Sequence, residues 1–111
     1  MNTREKIKVA TGNFFAEKGY EGTALSMIAQ EVGIKTPSIY AFFKNKESLF
    51  LEVYRDLLED HFLHLEKIVS TYEQQPPKEK LYNILIGIMD YHMREKDKTK
   101  LYMRVALFPP E

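Results

Sequence analysis

The most informative stretch of this 111-residue chain is residues 23–46, whose sequence is TALSMIAQEVGIKTPSIYAFFKNK. Within residues 24–32 the apolar side chains recur at the spacing of one buried helical face, at Leu25, Ile28, Ala29 and Val32. Gly33 ends this helix, because glycine adopts a left-handed backbone conformation at little cost. A second short helix is predicted over residues 37–43, where Pro37 suits the first helical position. The stretch therefore predicts two short helices joined by a tight turn.

Two short helices with this spacing form a helix-turn-helix. The small Ala29 lies where they cross, Ile39 points back into the core, and Thr23 and Thr36 are predicted to cap the two helices. An αα-hairpin inside a helical bundle also needs a small crossing residue and a turn glycine, so the motif alone leaves that alternative open. The second helix is short for a bundle, and cations and hydroxyls lie on its outward side and flanks, at Lys35, Thr36, Ser38, Tyr40, Lys44 and Lys46. This favours a helix that enters the major groove of DNA, with its flanks on phosphates.

The rest of the chain predicts further helices and no strands, over residues 3–18, 46–72, 78–96 and 99–108. Gly19 is predicted to end the first of these in a left-handed conformation, and Asn45 to cap the long one that follows. The charged run at 94–100 is predicted to be a solvated helix end and loop. The predicted fold class is all-α, with a three-helix domain that contains the helix-turn-helix, a long connecting helix and a partial helical domain.

Composition and charge restrict the functional classes. The chain is 44% hydrophobic and 29% charged, as in ordinary folded proteins, and it has no cysteine for disulfides or thiolate metal sites. It has no run of 18 apolar residues and no apolar segment after the mixed-charge N-terminus, so we expect no membrane span, no signal peptide and a cytoplasmic location. Residues 1–46 carry seven basic and four acidic groups, net +3, whereas residues 47–111 carry nine and twelve, net −3. This asymmetry predicts two parts with different partners.

Three segments in order are similar to a known family: residues 14–23 (FFAEKGYEGT), 28–34 (IAQEVGI) and 38–50 (SIYAFFKNKESLF). They resemble the tetracycline-repressor-type (TetR/AcrR) transcriptional regulators, nearly continuously over residues 7–53. The resemblance implies that residues 1–46 form a helix-turn-helix DNA-binding domain. It implies that residues 47–111 form the first part of a helical effector-binding and dimerisation domain. Family members run to about twice this length, so we expect this second part to be truncated and to pack against further helices or another copy.

The resemblance also implies which residues meet DNA: Thr23, Lys35, Thr36, Pro37, Ser38, Tyr40, Ala41, Lys44 and Lys46. Tyr40 and Lys46 match phosphate contacts of the family, and Thr23 matches a residue that caps the second helix and touches the DNA backbone. Ala41 stands where a larger side chain is frequent, and it can offer a methyl group to thymine but no hydrogen bond. Phe42 stands where histidine or tyrosine is frequent, and we expect it to be buried.

The second part of the chain is rich in aromatic and methionine side chains, which form either a core or a pocket for a small apolar or amphipathic effector. The resemblance implies such a pocket, for which the candidates are Phe62, Leu65, Met89, His92 and Tyr102. His61 and His64 share a helical face, but no further residues at ligand spacing accompany them, so no metal site and no cofactor are predicted. The sequence shows no nucleophile set, phosphate-binding loop or paired carboxylates, which predicts that the protein is not an enzyme.

These observations together predict a DNA-binding transcriptional regulator. We expect an effector-responsive repressor that acts as a homodimer on a pseudo-palindromic operator in double-stranded DNA. The long connecting helix would transmit the effector signal by changing its tilt. The alternative is a helical protein-interaction module without DNA binding, in which the helix-turn-helix serves only packing.

Overall fold

The computed structural model describes residues 1–110, and this part of the chain contains helices and no strand. The all-α prediction is confirmed. The helices are α1 (Thr3–Lys18), α2 (Leu25–Val32), α3 (Thr36–Ile39), α4 (Lys46–Thr71), α5 (Pro77–Arg94) and α6 (Lys96–Leu107).

Helix α1 has the predicted bounds. Asn2 caps it, since its side-chain oxygen accepts a hydrogen bond from the Glu5 amide at 2.9 Å. At the other end the Gly19 amide donates to the Phe15 carbonyl at 2.9 Å. Gly19 has φ 77° and ψ 173°, so the predicted left-handed helical conformation is wrong, although this backbone region is also one that glycine alone enters readily.

The predicted threonine caps are wrong. Ala24 and Lys35 occupy the N-cap positions of α2 and α3, and neither provides a side-chain cap. Thr36 is already the first residue of α3, and Thr23 lies one residue too early to cap α2. Helix α3 also ends at Ile39 instead of residue 43, because the next turn tightens into 3₁₀-type hydrogen bonds, a common way to end a helix.

The break between the last two helices lies at one residue, Glu95, and not around residues 97–98. Glu95 has φ −111° and ψ 57°, which turns the chain sharply between α5 and α6. Part of the charged run predicted as loop is therefore helical. Lys98 Nζ lies 3.0 Å from the Asp60 carboxylate on α4, and Lys100 Nζ lies 3.5 Å from the Glu17 carboxylate on α1, so this segment of α6 forms ion pairs with two other helices.

One continuous hydrophobic core joins α1, α2, α3, α4 and α6. Its fully buried large side chains include Ile7, Phe15, Ile28, Ile39 and Leu49, each of which contributes about 1.5–3 kcal/mol through burial. Leu57 of α4 and Leu101 of α6 belong to the same cluster. Since α6 lies along α1, the core extends from the helix-turn-helix into the second part of the chain.

The molecule is elongated along α4. Its extents are 56 × 28 × 20 Å and its radius of gyration is 16.9 Å, against about 13 Å for a compact chain of this length. The 26 residues of α4 span roughly 39 Å and start directly after the helix-turn-helix. None of the helices within residues 1–110 has the length and apolarity that crossing a bilayer requires.

Candidate nucleic-acid interface

The turn between α2 and α3 sets the direction of α3. Gly33 has φ 85° and ψ 30°, the left-handed conformation that its position predicts. The amides of Gly33 and Ile34 both donate to the Ala29 carbonyl, at 2.9 and 3.0 Å, which closes the end of α2. Ile39, which is 1% exposed, then holds α3 against the core. The turn and this one apolar side chain therefore position the short second helix.

Residues 40–42 face away from the core. Ile39 and Phe43 are both buried, lie one turn apart and are linked by a hydrogen bond of 3.0 Å between the Phe43 amide and the Ile39 carbonyl. The residues between them therefore point outward, and Tyr40 is 56% exposed. The expectation that Phe42 is buried is wrong: it is 39% exposed, because Phe43 already occupies the core-facing position. The Arg4 guanidinium covers the Phe43 ring, 4.7 Å from its centroid.

Lys46 begins α4 beside an aromatic cluster. Its Nζ lies 4.2 Å from the centroid of the Tyr20 ring, a cation–π contact that holds the ammonium group in place. Tyr20 in turn packs on Phe15 and Phe50, with ring centroids 5.9 and 5.1 Å away. Burial raises the pKa of Tyr20 above its ordinary value, and the charges of nearby glutamates add to this effect. One face of the Tyr20 ring is therefore in contact with the Lys46 ammonium group.

The start of α4 is fixed by its cap. The Asn45 side-chain oxygen accepts a hydrogen bond from the Ser48 amide at 2.7 Å, which confirms the predicted cap. Lys46 is therefore the first residue of a long rigid helix, and its backbone position is well defined relative to α3.

Thr23 differs from the other candidates for DNA contact. It is 2% exposed, and its hydroxyl donates to the Gly19 carbonyl at 2.8 Å while its amide donates to the Tyr20 carbonyl at 3.3 Å. Both of its donor groups are therefore used within the chain.

The other predicted DNA-contact residues lie within residues 35–46, on α3 and its N-cap, in the turn after it and at the first residue of α4. Thr36 and Lys46 are half-buried, and six are exposed: Lys35, Pro37, Ser38, Tyr40, Ala41 and Lys44. We call the side chains of residues 35–46 that reach solvent the recognition surface. It carries the three lysines Lys35, Lys44 and Lys46, which suits a polyanionic partner.

Part of the basic charge of residues 1–46 is used inside the protein. Arg4 donates to the Glu52 carboxylate of α4 at 2.6 Å, and Lys8 pairs with Asp56. These pairs join α1 to α4 and neutralise two of the seven basic groups. Of the basic groups in residues 1–46 that remain for a partner, a larger share therefore lies on the recognition surface than the count of seven suggests.

The five candidates for an effector pocket are only partly brought together. Phe62 and Met89 are 63% and 58% exposed, and Leu65 is half-buried. His92 and Tyr102 meet around the His61 ring, whose centroid lies 5.5 and 5.2 Å from theirs. The cavity beside them measures about 10 Å³, the space of about one water molecule, so residues 1–110 enclose no effector-sized pocket at this position.

A polar cluster that sequence reasoning missed lies next to this cavity. The Asp60 carboxylate of α4 accepts hydrogen bonds from the Tyr91 hydroxyl of α5 and from Lys98 Nζ of α6, both at 3.0 Å. Burial alone would raise the pKa of Asp60, but the hydrogen bonds from Lys98 and Tyr91, together with the charges of Lys98 and His64, outweigh it and hold the pKa below its ordinary value. Burial and the bond to Asp60 raise the pKa of Tyr91 to about 12. No local sequence pattern indicates this cluster, because its members lie on three helices.

Within the described residues no group of three or more His, Asp or Glu side chains is arranged to hold a metal ion. The three histidines all lie at the junction of α4 and α5, where their rings pack on Tyr91. Their surroundings are those of side chains that pack helices together.

Comparison with known proteins places the helix-turn-helix in a family. A family model described as bacterial regulatory proteins, tetR family, matches residues 7–53. The biofilm operon icaADBC HTH-type negative transcriptional regulator IcaR of Staphylococcus epidermidis is 32% identical over 108 residues, covering 96% of this chain and 55% of that protein. The HTH-type transcriptional regulator AcrR of Shigella flexneri is 29% identical over 105 residues, covering 95% of this chain and 48% of that protein.

A solved structure from Mesorhizobium loti, assigned to the TetR-family transcriptional regulators, has the same fold. It superposes with a TM-score of 0.78 at 23% identity and covers 95% of this chain and 52% of that one. The chain spans about half the length of the relatives it matches.

Proposed function

We propose that this chain is a transcriptional regulator of the tetR family that binds double-stranded DNA through its helix-turn-helix, since residues 7–53 match the family model and the chain is similar to named transcriptional regulators. The observation that carries this proposal is the recognition surface. Ile39 and the Gly33 turn hold α3 against the core, and the side chains that follow it are exposed and flanked by lysines. This is the arrangement that places a short helix in the major groove.

Two kinds of contact are expected in the complex. The first turn of α3, with Pro37 and Ser38, would approach base edges, while Tyr40, Lys44 and Lys46 would hold phosphates on either side. Lys46 can do so without leaving the Tyr20 ring, because an ammonium group has three donors and the ring covers one side of it. These contacts would fix the register of α3 on the duplex.

One copy reads little sequence, because α3 has only four residues. We therefore propose that two copies bind a pseudo-palindromic operator, with their α3 helices in major grooves about one helical turn apart. Such a protein acts as a repressor when its operator overlaps a promoter, and the relative from S. epidermidis is named a negative regulator. A bacterial regulator of this kind works in the cytoplasm, where the DNA is.

We also propose that a small apolar or amphipathic effector controls binding through α4 and α6. Both helices share the core with the helix-turn-helix, so a change in their tilt would move α1 and α3 as well. An effector can cause this shift only if it binds one arrangement more tightly than the other. The exposed Phe62 and Met89 and the half-buried Leu65, His92 and Tyr102 provide apolar surface for such a ligand.

The test is binding of the protein to a random duplex library, followed by fluorescence anisotropy on the selected sequence at two salt concentrations. We expect affinity to fall steeply with salt, and Lys46→Ala to reduce the slope of log K against log salt by about one unit. Tyr40→Phe should weaken binding through the loss of one phosphate hydrogen bond. Lys78→Ala, on α5 far from the recognition surface, is the matched control and should leave the slope unchanged.

Salt-independent behaviour, or the absence of binding by the folded protein, would contradict the proposal. The alternative function, a helical protein-interaction module without DNA binding, would then be favoured.

A further inference from the structure

The recognition surface is poor in hydrogen-bonding side chains where it should meet bases. Pro37, Ala41 and Phe42 are exposed and have no side-chain donor or acceptor. Only Ser38 and Tyr40 add an exposed hydroxyl within residues 37–42. The exposed lysines of this surface lie before and after these residues. The centre of the surface is therefore apolar and its edges are charged.

Phe42 contributes an aromatic ring to this apolar surface. Its amide donates to the Ile39 carbonyl at 2.9 Å, which fixes its backbone in the turn that follows α3. Phe43 takes the core-facing position next to it, so the Phe42 ring remains 39% exposed. When an apolar group covers an aromatic ring that was exposed to water, the free energy of the system falls.

The major groove offers one apolar group of this kind. Guanine, cytosine and adenine present hydrogen-bonding atoms there, whereas thymine adds its C5-methyl group. Phenylalanine and alanine side chains make apolar contact with that methyl, and they cannot bond to the polar edges of the other bases.

We propose that Phe42 is a specificity-determining residue that selects thymine through its C5-methyl group, with Ala41 and Pro37 adding apolar surface beside it. The inference rests on the proposed DNA-binding function. It adds the class of base that the protein recognises, and it predicts at least one required A·T pair in each half of the operator.

The test replaces each thymine of the selected operator in turn by deoxyuridine, which removes only the methyl group, and measures affinity by fluorescence anisotropy. At the position that Phe42 contacts, we expect deoxyuridine to lower the affinity about fourfold, because one buried group of methylene size is lost. At thymines away from the surface we expect no change. Phe42→Ala should abolish the discrimination between thymine and deoxyuridine at that position, and Phe42→Leu, which keeps an apolar side chain, should retain part of it.

Tyr40→Phe is the matched control, because it alters the neighbouring side chain and should leave the thymine preference intact. Thermal denaturation of each variant verifies that it is folded. The inference is overturned if no thymine can be distinguished from deoxyuridine, or if Phe42→Ala keeps the discrimination. It is also overturned if Phe42→Ala weakens all sequences equally, as a contact with the sugar-phosphate backbone would require. If the folded protein selects no duplex, the proposed function fails and this inference fails with it.

Discussion

Substitution of Gly33 tests whether the turn conformation itself holds the helix-turn-helix together. Gly33 has φ 85° and ψ 30°, and no heavy atom lies within 4 Å of the position that a Cβ would take. Gly33→Ala therefore creates no clash, and its whole cost comes from placing an L-residue in the left-handed region.

The change in unfolding free energy expected for Gly33→Ala has two opposing contributions. An L-residue in the left-handed helical region costs about 1–2 kcal/mol. Alanine also reduces the freedom of the unfolded chain, which returns about 0.4–1 kcal/mol. The expected net loss is about 1 kcal/mol of unfolding free energy, which corresponds to a fall in Tm of about 5 °C for a chain of this size.

Urea and thermal denaturation followed by circular dichroism measure this loss. Gly33→Asn is the matched control, since asparagine enters the left-handed region more readily than alanine, and we expect it to lose less stability. DNA affinity of both folded variants should change little, because the new side chains point into open space. Equal losses for the two variants, or a loss above about 3 kcal/mol for alanine, would refute a purely conformational cost.

Two further predictions concern α4 and its surroundings. Asn45→Ala should lower the unfolding free energy by about 1 kcal/mol through loss of the helix cap, while Asn45→Asp, which keeps an acceptor, should not; equal losses in urea denaturation would contradict this. Burial lowers the pKa of His61 below its ordinary value of 6.5, with His92 and His64 adding to the effect and Asp60 opposing it. Below pH 6.5 the unfolded chain then binds more protons than the folded one, so stability falls as the pH drops through that value. His61→Gln should make this fall shallower between about pH 7.5 and 5.5, and an unchanged slope would argue against the burial of this ring.

Helix bounds that are set by residues close together in the sequence were predictable. Helix α1 has the predicted bounds, and α4 begins at the predicted residue because the Asn45 cap and the following helix are adjacent in sequence. The Gly33 turn was predictable for the same reason, since the conformation it needs is one that few other residues adopt.

The features that depend on distant residues were not predictable from local patterns. Phe42 and Phe43 are identical in type, and only the packing of the core determines which of them is buried. The break at Glu95 is marked by no glycine or proline in the sequence. The cluster around Asp60 joins side chains from three helices that no spacing in the sequence relates.

The helical fold and the helix-turn-helix were predictable from the amino-acid sequence, because helical periodicity, helix caps and the Gly33 turn each depend on a few neighbouring residues. Which charged and aromatic side chains remain exposed to a partner depends instead on how the helices pack. Arg4 is neutralised by Glu52, which lies 48 residues away along the chain. Such pairings depend on how helices pack, and packing depends on the whole set of apolar contacts at once.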